Sequence, residues 1–137
     1  MKRELELELV KRYPNLFRDY GGDMRRTCMF WGMSHGDGWY GIIDEIGEQL
    51  IKLGTEDKVI ADQVKEKFGG LRFYYHVMGG LSKDIYKKID DIINEAEEES
   101  YKTCESCGSK ENVTVNETGW TYTLCDKCRE KMKRGVE

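Results

Sequence analysis

An α+β fold, with helices packed on a small antiparallel sheet, follows from three features of the sequence. Two stretches, Trp39 to Leu53 and Lys83 to about Lys102, repeat apolar residues at the spacing of an amphipathic helix. Between them, Lys58 to Met78 holds two β-prone arms around Gly69-Gly70, a two-residue hairpin signal. Beyond the second helix two Cys-x-x-Cys pairs, Cys104/Cys107 and Cys125/Cys128, are separated by 17 residues, the spacing of a four-thiolate zinc site. The chain therefore divides into an α+β domain, residues 1–103, and a C-terminal four-cysteine zinc ribbon, residues 104–137, holding one structural Zn2+.

Taken in order, residues 4 to 13 alternate Glu and Leu but consist of good helix formers, and a helix is expected there with Leu5 and Leu9 on its apolar side. Pro14 disfavours a helical Tyr13 and ends it, leaving Leu16 and Phe17 to extend the apolar surface. Thr27 to Trp31 is apolar enough for a buried strand, and Gly32 to Gly38 reads as a loop. In the helix that follows, Ile42, Ile43, Ile46, Leu50 and Leu53 share a face, Asp37 is the expected N-cap and Gly54 the C-terminal cap. In the hairpin, Ile60, Val64 and Phe68 should share one face of the first arm, and Leu71, Phe73, Tyr75 and Val77 one face of the second. Ser82 caps the next helix, which buries Ile85, Ile89, Ile92, Ile93 and Ala96, turns Glu95, Glu97, Glu98 and Glu99 to solvent, and feeds straight into Cys104. Val113, Val115, Trp120, Tyr122 and Leu124 should form the two strands of the ribbon. The charged tail after Cys128 should fray.

Composition narrows the class. Of 137 residues 35% are charged, yet three Trp, eight Tyr and four Phe suffice for a core. The amino-terminal MKRELELELVKRY has no apolar run suited to a signal peptide or a membrane span, so a cytoplasmic location is expected. In that compartment thiols stay reduced, which favours a metal over disulfides; Cys28 is the odd thiol and should be buried. Four thiolates also close the coordination shell, so the zinc would be structural, and residues 104–137 are too few to bury a core unaided. The net charge of −4, lowered further by two when four thiolates take one Zn2+, argues against a general nucleic-acid binder and leaves room only for a local basic patch.

Ser34-His35-Gly36-Asp37-Gly38-Trp39 is the best candidate for chemistry or ligand binding. His35 beside Asp37, with Asp44 and Glu45 further along, could form an oriented base for hydrolytic work. The same residues suit an ordinary strand-to-helix connection, and this reading is preferred because no nucleophile motif or phosphate-binding loop accompanies them. Trp120 and Tyr122 are candidate contact residues on the ribbon. Lys65, Lys67, Arg72 and Tyr74 form a weaker basic-aromatic pattern of the kind that stacks single-stranded bases, with His76 on the same face. Lys127, Arg129, Lys131, Lys133 and Arg134 cluster after the last cysteine, diluted by Asp126 and Glu130.

RYPNLF, GDGWYGIID, VKEKFGGLRFYY, the acidic helix ending near Ser100 and TCESCG…GWTYTLCDKC together resemble a family of small proteins of tailed-phage and prophage genomes. The resemblance spans most of the chain and implies a phage protein acting in the bacterial host cytoplasm; it carries over no catalytic residues. By analogy with small phage accessory factors, the expected function is to bind a bacterial host or defence protein and modulate or inhibit it. The alternatives are a nucleic-acid-binding zinc-ribbon factor and a small hydrolase using His35 and Asp37.

Overall fold

A computed structural model describes residues 1–135; Val136 and Glu137, which the ribbon and the fraying tail were expected to include, lie outside the described residues. The elements are α1 (Arg3–Arg12), β1 (Met33–Ser34), α2 (Tyr40–Lys52), β2 (Val59–Lys67), β3 (Gly70–Val77), α3 (Lys83–Ser100), β4 (Val113–Val115), β5 (Thr123–Cys125) and α4 (Asp126–Lys133). The fold is α+β. β2 and β3 pair antiparallel, β1 adds a short parallel strand to β2, and β4 and β5 make a separate antiparallel pair.

α1 stops before Pro14 and buries Leu9, with Leu5 half-buried. The turns that follow carry Tyr13, Leu16 and Phe17 fully into the core, and the Leu16 carbonyl accepts from the Ala61 amide at 2.9 Å. Glu6 is also buried, which the alternating pattern did not suggest. Its carboxylate accepts from the Tyr20 hydroxyl at 2.6 Å and the Met33 amide at 3.3 Å, so the buried charge is hydrogen-bonded.

The expected strand from Thr27 to Trp31 is instead a 3₁₀ turn over Cys28–Trp31, capped by the Thr27 hydroxyl on the Met29 amide. Only Met29 enters the core, while Phe30 and Trp31 point outward and Cys28 is exposed rather than buried. Gly32, at φ +75°, then reverses the chain into β1. An apolar run without alternation cannot show which of its members has a neighbour to pack on.

α2 buries Ile42, Ile43, Ile46 and Leu50, and Gly54 at φ +76° closes it. Asp37 does not cap it: a 3₁₀ turn over Asp37–Trp39 precedes the helix, and the Asp37 carboxylate accepts instead from the Lys2 amide at 2.8 Å. In the hairpin the two-residue loop is Phe68-Gly69, one position earlier than expected, and Gly70 pairs with Lys67. Of the face expected on the first arm only Val64 is fully buried. A bulge between Ala61 and Gln63 shifts the alternation, so Val59, Ala61 and Val64 are buried, Ile60 is half-buried and Phe68 is exposed. On the second arm Leu71 and Phe73 are buried and Tyr75 and Val77 partly so, as alternation required.

Ser82 caps α3 through its hydroxyl on the Ile85 amide, and Ile89 and Ile93 are the helix's buried apolar residues. The helix ends at Ser100 and lies along the outer edge of β3. There the Ser100 hydroxyl accepts from the Leu71 amide and the Glu97 carboxylate from the Phe73 amide, at 2.9 and 2.8 Å. Glu97 therefore does not face solvent as expected; it closes a sheet edge that would otherwise present open donors. Trp39, Tyr13, Phe17 and Phe73 are the largest fully buried side chains, and the Phe17 and Phe73 rings meet edge-on at 6.3 Å.

Candidate metal centre

Cys104 and Cys107 lie on a tight turn that Gly108 leaves at φ +84°, its amide donating to the Cys104 carbonyl at 2.9 Å. Cys125 ends β5 and N-caps α4, its sulfur accepting from the Cys128 amide at 3.5 Å. The helix runs on to Lys133, so residues 129–133, part of the tail after Cys128 that was expected to fray, are helical. Val113, Val115 and Leu124 stand in the ribbon strands as predicted. Trp120 and Tyr122 do not; they belong to the connection between β4 and β5.

The four Sγ atoms lie within 4.8 Å of one another, and Cys107 and Cys125 are 3.7 Å apart at sulfur. Sulfurs about 2.3 Å from one tetrahedral ion stand about 3.8 Å from each other, so the cluster has the dimensions of a tetrahedral metal site. Four thiols with no other donor suit a closed, structural site, compatible with zinc. The electrostatics point the same way. Burial and then hydrogen bonds to Cys125 and Cys107 push the Cys128 thiol up to about 12. Burial also opposes ionisation of Cys104, but backbone hydrogen bonds from Cys125, Cys107 and Ser106 outweigh it and bring that thiol down to about 7. The Cys104 thiol is thus the easier to ionise, while Cys107 and Cys128 are held up and a nearby cation would favour their ionisation.

Two glycine motifs hold this centre against the larger part of the chain. The first is the loop before α2. The Gly38 amide donates to the Glu105 carbonyl at 2.7 Å, the Gly36 amide to the Glu105 carboxylate at 2.9 Å, and the Trp39 indole to the Thr103 carbonyl at 2.9 Å. A Cβ on Gly38 would stand 2.1 Å from the Cys104 carbonyl oxygen, and one on Gly36 2.3 Å from that of Glu105. The glycines are there because backbone meets backbone. The second motif is the hairpin tip, where the Thr123 hydroxyl donates to the Gly69 carbonyl and a Cβ on Gly69 would lie 2.8 Å from the Thr121 methyl.

The structure does not assemble the base that His35 and Asp37 could have formed. His35 is buried, its Nδ1 lies 2.8 Å from the Gly36 carbonyl, and burial lowers its pKa to about 4. Its Nε2 is buried without a hydrogen-bond partner. Asp37 is held by Lys2; Asp44 accepts from the Tyr13 hydroxyl at 2.6 Å and pairs with Arg12 at 2.7 Å; Glu45 accepts from Gln49. Trp39 is fully buried and offers no contact surface, whereas Trp120 is 75% exposed and Tyr122 half-buried. His76 is exposed and meets the Asp62 carboxylate at 2.8 Å. In the basic cluster Arg129 is consumed by the carbonyls of Thr114 and Tyr122, and Arg134 pairs with Glu130. Sequence reasoning missed Thr103, Glu105 and Thr123, for which no local signal exists, and Phe68, which the off-by-one reading of the turn hid.

Fold and site define a small α+β protein with a C-terminal ribbon whose four cysteines could hold a metal ion. Comparison with protein-family models, curated proteins and solved structures finds no match. Among the described residues no helix is long and apolar enough to cross a membrane.

Proposed function

We propose that this chain is a zinc-stabilised, non-enzymatic binding protein, phage-encoded as the resemblance implies, that engages a bacterial host or defence protein and modulates or inhibits it. The observation that supports a protein partner is the Phe30–Trp31 pair. The rings meet edge-on at 4.9 Å, and both are exposed, Trp31 to 70%. Exposed Met24 and the side chains of Arg25 and Arg26 lie on the same segment, the mixture of Trp, Met and Arg that concentrates binding energy at interfaces. A partner surface with an apolar pocket and an acidic rim fits it. Zinc is the metal proposed because four thiolates in a tetrahedron satisfy it with no open position.

The test is affinity capture from bacterial lysate with the metal-loaded protein and its Trp31→Ala variant in parallel. A protein retained by the parent chain and lost with the variant supports the reading; retention of nothing, or equal retention by both, removes it. Native mass measurement should show one zinc ion per chain, and a metal-free, folded ribbon would remove that part.

A further inference from the structure

The two hairpins meet tip to tip, and the meeting point carries a side chain in an unfavourable conformation. Phe68 has φ +54°, a region that bulky residues avoid and where a two-residue turn normally places Asn, Asp or Gly. The ring gains no burial in return, being 71% exposed, and the Lys67 ammonium lies 5.6 Å from its centroid. Such strain without packing gain is a mark of function. Across the Gly69–Thr121 contact, one residue before Thr121, is Trp120, the most exposed large apolar side chain among the described residues.

Cations stand on the same hairpin as Phe68. Lys65 stands opposite Arg72 on the solvent face of the hairpin, Lys67 opposite Gly70, and exposed Tyr74 opposite Gln63. Arg72 donates to the Tyr101 hydroxyl at 3.2 Å, adding a fourth ring beside the tip. Among the described residues none of these three cations is in an ion pair, although the chain is acidic overall. The nearby carboxylates are engaged internally, Glu66 by the Gly69 amide and Glu97 by the Phe73 amide, both at 2.8 Å.

We propose that the joined hairpin tips bind single-stranded nucleic acid, with Phe68 and Trp120 as stacking platforms and Lys65, Lys67 and Arg72 as phosphate contacts. Rings interleaved with cations match a strand whose bases are free to stack and whose phosphates follow at regular intervals. A duplex keeps its bases stacked on each other and offers the rings nothing. The negative charge of the remaining surface confines a polyanion to this face. The surface is distinct from the Phe30–Trp31 pair, so this activity stands or falls separately from the protein partner proposed above.

The experiment is fluorescence anisotropy of labelled single-stranded DNA and RNA with the metal-loaded full chain, over a range of salt. Binding should weaken with salt at a log–log slope of about −2, as three phosphate contacts imply. Phe68→Asn is the decisive variant. Asn accepts the left-handed turn, so the protein should melt at the same temperature or higher, while affinity falls about tenfold from the lost stacking. Trp120→Ala should weaken binding comparably with an unchanged melting temperature. No binding at low salt, unchanged affinity in both variants, or equal binding of duplex would overturn the proposal. So would competition by a polyglutamate peptide as effective as by unlabelled oligonucleotide, which would assign the face to an acidic protein segment.

Discussion

The indole nitrogen of Trp39 donates to the Thr103 carbonyl at 2.9 Å, tying the start of α2 to the residue just before the first metal-site cysteine. Together with the Gly38–Glu105 and Thr123–Gly69 hydrogen bonds it ties the ribbon to the loop before α2 and to the hairpin turn, in addition to the chain link at the end of α3.

Gly38→Ala should therefore act at a distance. Its Cβ would meet the Cys104 carbonyl and the Gly108 amide, both backbone, so the loop must move off the first cysteine turn. Thermal or denaturant unfolding should show a loss of about 1–3 kcal/mol, as for other overpacked sites. Metal should also pass faster to a chelating dye than from the parent chain.

Metal removal should loosen more than the ribbon. Stripping the ion with a strong chelator should raise amide hydrogen exchange across Cys104–Lys133 and also at Gly36 and Gly38, whose amides donate to Glu105, and at the turn around Gly69, whose carbonyl accepts from the Thr123 hydroxyl. Amides of α2 and of the α3 turns around Ile89 and Ile93 should stay protected. Exchange confined to residues beyond Thr103 would show that the two clamps carry no coupling.

The pH dependence follows from His35. Burial, opposed by the Gly36 carbonyl, lowers its pKa to about 4, against an ordinary value near 6.5. Between those values the unfolded chain binds more protons than the folded one, so stability rises with pH there. The contribution is complete above about pH 6.5 and lost as pH falls toward 4. Between pH 7.5 and 5.5 it amounts to about 1 kcal/mol. Denaturant midpoints of the parent chain and His35→Gln, measured at both pH values, should differ in slope by that amount, the variant being flatter; thiolate protonation affects both equally.

Glu97→Ala and Ser100→Ala remove the acceptors that close the outer edge of β3. Each leaves a strand amide without its partner and should cost about 1–3 kcal/mol. In the double variant the opened edge should also promote association, visible as concentration-dependent elution in size-exclusion chromatography. A fully monomeric double variant would show that bulk alone protects the edge.

The signals that were legible in the sequence are local ones. Helical spacing placed α2 and α3, Ser82 and Gly54 marked helix ends, and the paired cysteines marked the candidate metal centre, because each depends on residues within a few positions of one another. What lay between was decided elsewhere. Whether Phe30 and Trp31 turn outward, whether Glu6 is buried, and which way the β2 side chains face after the bulge all depend on neighbours distant in the chain, such as Tyr20, Met33 and Leu16. The glycines of His35-Gly36-Asp37-Gly38 read equally as a ligand cradle or a plain connection. Only the approach of the Cys104–Gly108 turn, 69 residues away in the Gly36–Glu105 contact, made them a seat for the ribbon, since a glycine's role is set by the atoms that occupy the space its missing side chain leaves.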